Sequence, residues 1–266
     1  MDNKLWTNIK ERKCNEKNVV EVRNFEKNYG ERKVVDNLSF KVAEGEIVGL
    51  LGPNGAGKST TIKMLTGIEP CDSGELLFDG KPVEKSRNSI KKSLGLVPQD
   101  IAVYGDMSAY DNVKFFCSLY GFKGKELERR VKEALEFVAL WDRRKDKPGK
   151  FSGGMKRRLN IACSIAHGPK LLIMDEPTVG IDPQSRNYIL EAIRIMNQRG
   201  TTVIYVSHYM EEIEALCNRI LIMDHGQMKI DEEKEALKEQ YSKEESQSLE
   251  KIFLTITGTT LRDEEE

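Results

Sequence analysis

Residues 52–59 read GPNGAGKS, and this stretch is the strongest indication of the fold class. It fits the pattern G-x-x-x-x-G-K-[ST] of a phosphate-binding loop. Glycine lets the chain curl so tightly that several backbone N–H groups aim at one polyphosphate, and the helix that follows adds its positive N-terminal end. We expect Lys58 to neutralise the β- and γ-phosphates of a nucleotide and the Ser59 hydroxyl to ligate Mg²⁺. The predicted nucleotide contacts in this stretch are Gly52, Asn54, Gly55, Ala56, Gly57, Lys58, Ser59 and Thr60.

The flanking sequence places this loop between a strand and a helix. The apolar run at residues 47–51 is typical of a strand that is buried on both faces of a parallel sheet. Ile62 and Leu65 follow at helical spacing, and Gly67 is a natural helix stop. This order of strand, loop and helix distinguishes a phosphate-binding loop from a chance glycine turn.

A second strand is predicted to end in two carboxylates. Residues 171–174 are apolar and are followed directly by Asp175 and Glu176. Ligands of open α/β sheets bind at the carboxyl ends of the strands, so we expect these two side chains near the nucleotide. We predict that Asp175 holds Mg²⁺, directly or through water, and that Glu176 polarises the attacking water as a general base.

Ser152, Gly153 and Gly154 predict a second anion-binding helix end. A serine hydroxyl and two glycines at the start of a helix present backbone N–H groups to a phosphate. One nucleotide site does not need two such ends. The arrangement is explained if the second end of one chain closes over the nucleotide of another chain. We therefore expect a homodimer, or a pair of related chains, as the working unit.

Taken in order, these features resemble the nucleotide-binding subunit of ATP-binding cassette (ABC) transporters, over about residues 19–228. The signature of that family is usually Leu-Ser-Gly-Gly-Gln, and here Phe151 and Met155 replace its two ends. Met155 and the ending at residues 249–263 resemble the bacterial drug-resistance-type exporter branch. The resemblance implies ATP and Mg²⁺ as cofactors and ATP hydrolysis as the activity.

The resemblance also implies roles for four further residues. Tyr29 matches the aromatic residue that stacks on adenine, and its alternative is an ordinary turn tyrosine. Gln99 matches the residue that touches Mg²⁺ and links the core to a helical lobe, where the alternative is a solvated amide. Asp182 matches the D-loop of the family, which implies a place among the nucleotide-binding residues, although its position before Pro183 also suits a helix cap. His208 matches the histidine that contacts the γ-phosphate, and the alternative is a structural histidine.

The alternation of strands and helices predicts an α/β fold with a P-loop NTPase core and a mainly parallel sheet. We expect a polar N-terminal extension over residues 1–18 and a nucleotide-binding domain over residues 19–230. That domain should start with an antiparallel β subdomain and carry an inserted helical subdomain at about residues 100–166. Residues 231–266 are predicted to be an acidic tail with one amphipathic helix.

The composition of the chain limits the kinds of partner and compartment that we expect. The chain has 266 residues and a formal charge of −1, which gives no support to nucleic-acid binding. Its five cysteines contain no CxxC pair, which suits a reducing cytosol. No stretch approaches the ~18 apolar residues of a membrane span, and residues 1–17 lack the apolar core of a signal peptide. We expect a peripheral protein at the cytoplasmic face of a membrane, bound to an integral permease that another chain supplies.

The predicted function is ATP hydrolysis that drives export of an unidentified compound through that permease. The alternatives are an importer motor, a DNA-acting ABC ATPase, a ribosome-associated factor, a simple P-loop kinase and a non-catalytic regulator. DNA-acting members separate the two phosphate motifs by long coiled coils, which do not fit between Ser59 and Ser152. A simple kinase would lack the Ser-Gly-Gly motif, and a regulator would be expected to have lost Glu176 or His208.

Overall fold

The computed structural model describes residues 17–83, 87–241 and 248–258. Within these ranges it contains ten strands and nine α-helices. The strands are β1 (Asn18–Tyr29), β2 (Arg32–Ala43), β3 (Ile47–Leu51), β4 (Ser73–Phe78), β5 (Lys81–Pro82), β6 (Leu94–Val97), β7 (Leu171–Asp175), β8 (Thr202–Val206), β9 (Arg219–Asp224) and β10 (Gln227–Glu233). The helices are α1 (Lys58–Leu65), α2 (Arg87–Ser93), α3 (Ala109–Ser118), α4 (Gly124–Phe137), α5 (Gly153–Ile165), α6 (Pro183–Gln198), α7 (Met210–Leu216), α8 (Lys234–Tyr241) and α9 (Leu249–Thr257).

The chain divides into two compact units, one within Asn88–Val203 and the other within Cys14–Arg87 and Ile204–Glu266. The second unit holds the predicted antiparallel β subdomain, a sheet in the order β2-β1-β4-β5. In β1, Val20 and Val22 are buried and stand opposite Val42 and Phe40 of β2. This alternation of buried and exposed residues follows from the two-residue period of a strand and confirms the predicted antiparallel start of the domain.

The same unit contains the strand that carries the phosphate-binding loop. All five residues of β3 are buried, as its continuous apolar sequence predicts. β3 pairs in parallel with β9, and Gly49 stands opposite Ile220. β9 then returns as β10 in an antiparallel hairpin around His225 and Gly226, both with positive φ.

The other unit combines two parallel strands with helices. β6 and β7 pair in parallel, and Val97 stands opposite Met174. Helices α3, α4 and α5 pack on one another and lie within the predicted range 100–166. On α4 the residues Leu127, Val131 and Leu135 are buried, which is the apolar stripe that the helical spacing predicts.

Side-chain caps define the starts of four helices. Ser108, Ser152, Asp182 and Ser248 each accept a hydrogen bond from the backbone N–H three residues later. The sequence predicts a helix over residues 208–216, and this start is wrong by two residues, because α7 begins at Met210 and not at His208.

The C-terminal tail is described only in part. Helix α9 confirms the predicted amphipathic helix, since Leu249 and Ile252 are fully buried and Gly258 follows its end with φ 82°. The N-terminal extension up to residue 16 and the stretch at residues 259–266 lie outside the described residues. Among the helices of the described ranges, none combines the length and the apolar character that a bilayer span requires.

Candidate functional site

The phosphate-binding loop joins β3 to α1, as predicted. Gly57 is the N-cap of α1 and has φ 99°, a backbone conformation that favours glycine. A Cβ atom at Gly57 would lie 2.7 Å from the carbonyl oxygen of Val34. At Gly52 a Cβ atom would lie 2.6 Å from the carbonyl oxygen of Met223. The loop therefore excludes side chains at both positions.

Lys58 is held by its own loop. Its side chain is 8% exposed, and its Nζ donates to the carbonyl oxygens of Gly52 and Pro53 at 2.7 and 3.0 Å. These two bonds hold the ammonium group against the backbone at the start of the loop. Ser59 at the first turn of α1 is exposed, so its hydroxyl is accessible for a ligand. The remaining predicted contacts differ in burial: Asn54 and Gly55 are exposed, Thr60 is half-buried, and Ala56 is buried.

Tyr29 ends β1 and is 45% exposed. Its hydroxyl donates to Glu69 Oε2 at 2.6 Å, and this bond raises the pKa of the tyrosine. The Nζ of Lys27 lies 5.7 Å from the ring centroid. The ring is thus anchored through its hydroxyl, which suits a stacking surface for an aromatic base. Sequence reasoning missed Glu69, which no local pattern connects with Tyr29.

His208 lies in the three-residue link between β8 and α7. Its side chain is exposed, while Ser207 before it is 2% exposed. The structure therefore presents the predicted histidine at the surface directly after a buried strand, as the sequence suggested.

The two predicted carboxylates follow β7. Asp175 is its last residue and is half-buried, and Glu176 is 8% exposed. Glu176 has φ 46°, a left-handed conformation that costs a residue other than glycine on the order of 1 kcal/mol or more. Strained backbone of this kind concentrates at functional sites, where the surrounding structure holds it.

Gln99 reaches Glu176 in the structure, whereas the predicted roles of the two residues did not call for a bond between them. Its Nε2 donates to Glu176 Oε2 at 3.3 Å. Arg157 of α5 fixes the backbone of the same loop, because its Nη1 and Nη2 donate to the carbonyl oxygens of Pro98 and Gln99 at 2.8 and 2.5 Å. Arg157 is 3% exposed, so these bonds are made away from water. Sequence reasoning gave Arg157 no role, and the one available signal was its place in the basic run after the Ser-Gly-Gly motif.

The Ser-Gly-Gly motif forms the start of α5. Ser152 is the N-cap, and its Oγ accepts from the backbone N–H of Met155 at 3.2 Å. Ser152 and Gly153 are exposed, while Gly154 is buried. The motif therefore presents an accessible helix N-terminus, as predicted, with a serine hydroxyl that still has its hydrogen to donate.

Asp182 lies beside this helix start. A Cβ atom at Gly154 would lie 3.1 Å from Asp182 Oδ2 and 2.3 Å from the Oγ of Ser185. Asp182 caps α6 by accepting from the backbone N–H of Ser185 at 2.9 Å, and this bond holds the pKa of the carboxyl below its usual range. The helix-cap reading of Asp182 is thus confirmed, and its contact role stays a prediction.

The residues predicted to bind Mg²⁺ fit that ion by their chemistry. Among the described residues there is no cluster of three or more His, Cys, Asp and Glu side chains that could hold a metal. Ser59, Gln99 and Asp175 offer one hydroxyl, one amide oxygen and one carboxylate. Gln99 uses its N–H group toward Glu176, which leaves its carbonyl oxygen for a cation. Mg²⁺ binds through few carboxylates and keeps waters and nucleotide phosphates, so this oxygen set suits it.

A glycine-rich loop between a buried strand and a helix, and a second strand that ends in two carboxylates, define the class of P-loop nucleoside triphosphatases. The chain belongs to the ABC transporter family, whose model matches residues 35–179. It is an ATP-binding subunit of the ABC transporter type and an ATPase.

Two bacterial ATP-binding proteins align with most of this chain. The linearmycin resistance ATP-binding protein of Bacillus subtilis (strain 168) is 51% identical over 79% of this chain and 68% of its own length. The Nod factor export ATP-binding protein I of Rhizobium sp. (strain N33) is 40% identical over 78% of this chain and 68% of its own length.

Solved structures share the fold. The ATP-binding subunit of an ABC transporter superposes with a TM-score of 0.81 at 27% identity, over 90% of this chain and 99% of that chain. A dimeric ATP-binding cassette in a post-hydrolysis state with ADP and Pi superposes with a TM-score of 0.73 at 25% identity, over 80% of this chain and 98% of that chain. The α/β fold with a P-loop core that the sequence predicts is therefore confirmed.

Proposed function

We propose that the chain powers export of a compound through a separate membrane permease, with ATP and Mg²⁺ as cofactors and a second nucleotide-binding chain as partner. The observation that carries the proposal is the presence of two helix N-termini with glycine motifs in one chain, at the start of α1 and at the start of α5. The names of two relatives, which refer to linearmycin resistance and to Nod factor export, favour export over import.

Each side chain of the site has its own role in ATP binding and hydrolysis, which follows from its chemistry. Lys58 neutralises the β- and γ-phosphates, and the exposed ring of Tyr29 stacks on the adenine. Glu176, whose carboxylate is oriented by the amide of Gln99, accepts the proton of the attacking water. His208 contacts the γ-phosphate from its exposed position. Mg²⁺, when it is bound by Ser59, Gln99 and Asp175, supplies positive charge for the phosphate oxygens.

The partner chain supplies the lid over each nucleotide. Ser152 and Gly153 are exposed at the start of α5, with Asp182 exposed beside them, so all three are accessible to a second subunit. We assign the Ser152 hydroxyl and the N–H groups of the motif to the γ-phosphate of the partner's nucleotide. Hydrolysis removes this link, and the pair then loosens. The permease places the assembly at the cytoplasmic face of the membrane.

A mixing experiment tests the head-to-tail pair. Lys58→Ala disables the phosphate loop, and Ser152→Arg obstructs the lid, so each variant alone should lack ATPase activity. A mixed pair contains one site with an intact Lys58 and an intact Ser152, and mixing should restore about a quarter of the wild-type rate if subunits exchange at random. Wild-type activity of Ser152→Arg alone would show that each chain works alone, and absence of recovery in a mixture whose subunits demonstrably exchange would contradict the proposed head-to-tail pair.

Export is tested in cells that carry the chain together with its permease. The wild-type pair should raise tolerance to a toxic compound in a panel that includes linearmycin, and Glu176→Gln should abolish that tolerance. Equal tolerance with the wild type and with Glu176→Gln would contradict ATP-driven export. Reduced uptake of a nutrient by the Glu176→Gln cells would identify an importer instead.

A further inference from the structure

A buried carboxylate lies under the link that carries His208. Glu212, in the first turn of α7, is 1% exposed. Its Oε2 accepts two hydrogen bonds, from the Tyr205 hydroxyl at 2.7 Å and from the Ser207 hydroxyl at 2.9 Å. Tyr205 is fully buried in β8. Hydroxyl groups thus connect the strand before His208 with the helix after it.

Ser207 connects Glu212 with the backbone of the link through a second hydrogen bond. Its Oγ donates to Glu212 and also accepts from the backbone N–H of Tyr209 at 3.0 Å. The two bonds fix the residues on either side of His208, because Ser207 precedes it and Tyr209 follows it. The backbone N–H of Glu212 in turn donates to the carbonyl oxygen of Tyr209 at 3.0 Å. The Glu212 side chain of α7 therefore holds the three-residue link between β8 and α7 in place through its bond with Ser207.

We infer that Glu212 is a positioning residue for the reaction: it holds Ser207, and through Ser207 it holds the backbone that presents His208. A buried carboxylate without hydrogen-bond donors would be costly, so the two hydroxyl donors and the carboxylate maintain one another. The inference rests on the proposed role of His208 at the γ-phosphate. It assigns Glu212, Ser207 and Tyr205 no contact with the nucleotide.

A double-mutant cycle under single-turnover conditions tests the inference. Glu212→Ala should lower the rate of ATP hydrolysis by about 10-fold with ATP affinity within about 2-fold, because a misplaced catalytic group affects mainly the chemical step. His208→Ala should lower the rate further. In the His208→Ala background, Glu212→Ala should have no additional effect, since it acts through the missing histidine.

Three further variants distinguish an effect on the position of His208 from an effect on the stability of the fold. Ser207→Ala breaks the link to Tyr209 and should reproduce the loss seen with Glu212→Ala. Tyr205→Phe removes one donor from the same carboxylate but leaves the Ser207 link, so the rate should stay within about 2-fold although thermal stability falls. Glu212→Gln keeps a carbonyl oxygen as acceptor for both hydroxyls and should retain most of the activity.

The outcomes distinguish two kinds of failure. A wild-type rate for Glu212→Ala, or an equal fold-loss for Glu212→Ala with and without His208, would overturn the inference alone. A wild-type rate for His208→Ala would overturn the proposed role of the histidine and the inference with it. Equal losses for Tyr205→Phe and Ser207→Ala would mean that the buried cluster acts only on stability.

Discussion

The amide of Gln99 donates a hydrogen bond to the carboxylate of Glu176 at 3.3 Å across 77 positions of sequence. The backbone of Gln99 is held at the same time by the guanidinium group of Arg157, two residues after Met155 of the Ser-Gly-Gly helix. The loop that orients the proposed general base is thus fixed from the helix that is proposed to contact the partner's nucleotide. Three elements that are remote in sequence form one hydrogen-bonded path.

Arg157→Lys should impair turnover more than nucleotide binding. Arg157 uses two separate nitrogens of its planar fork for the two carbonyl oxygens, whereas lysine offers one nitrogen on a different stem, so we expect the Gln99 loop to lose its fixed geometry. We expect kcat to fall about 10-fold with KM within about 2-fold. Steady-state ATPase kinetics measure both values.

Arg158→Lys is the matched control for that variant. Arg158 is the next residue of α5, but its Nη1 donates to the carbonyl oxygen of Val138 at 2.8 Å. The Arg158→Lys variant should lose about as much stability as Arg157→Lys but keep a near-normal kcat. Equal kinetic losses in the two variants would contradict a specific role of Arg157.

Glu176→Gln should bind ATP but hydrolyse it about 10²–10⁴-fold more slowly, because the amide cannot accept the proton of the attacking water. The substitution conserves shape and leaves an oxygen that accepts from Gln99. ATP binding and turnover are measured on the same preparation. A turnover rate near that of the wild type would refute the assignment of Glu176 as general base.

Gly154→Ala and Gly153→Ala should differ in stability although they are neighbours. A Cβ atom at Gly154 would lie 2.3 Å from the Oγ of Ser185, whereas at Gly153 the nearest atom is the carbonyl oxygen of Gly180 at 3.9 Å. We expect Gly154→Ala to lower the free energy of unfolding by about 1–3 kcal/mol and Gly153→Ala to leave it unchanged or raise it. Urea unfolding checks both, and Ser185→Gly should rescue Gly154→Ala because it removes the clashing atoms.

His167 should make the stability of the chain sensitive to acid. Burial lowers the pKa of this histidine from 6.5 to about 4, although its bond to the Leu94 carbonyl at 3.1 Å opposes the shift. Between these two values the unfolded chain binds a proton and the folded chain does not, so stability falls as the pH falls through this window. We expect a loss of about 2 kcal/mol between pH 7 and pH 5 from this group.

The variant His167→Phe provides the comparison. A phenyl ring can keep the stacking on Tyr120, whose ring centroid lies 3.7 Å away, but it cannot titrate. Urea unfolding at pH 5, 6 and 7 should show a shallower pH dependence than in the wild type. The same slope in both proteins would contradict the assignment.

Local patterns made much of the fold and the site predictable. The phosphate loop, the carboxylates after β7 and the cap at Asp182 depend on residue type and short spacing, and all lie where the sequence places them. Arg157 could not be found in this way, because its partners are main-chain carbonyl groups that any residue would provide. The start of α7 could not be predicted from a local pattern either. The Ser207 hydroxyl accepts a hydrogen bond from the Tyr209 N–H, and this turn delays the start of the helix to Met210.

Gly154 leaves no gap between the beginnings of α5 and α6, because Ser185 occupies the space where its side chain would stand. Such close packing couples the positions of the two helix starts, because neither can move toward the other without a clash. In the proposed pair, binding of the partner's ATP at the start of α5 would therefore also set the position of Asp182 at the start of α6.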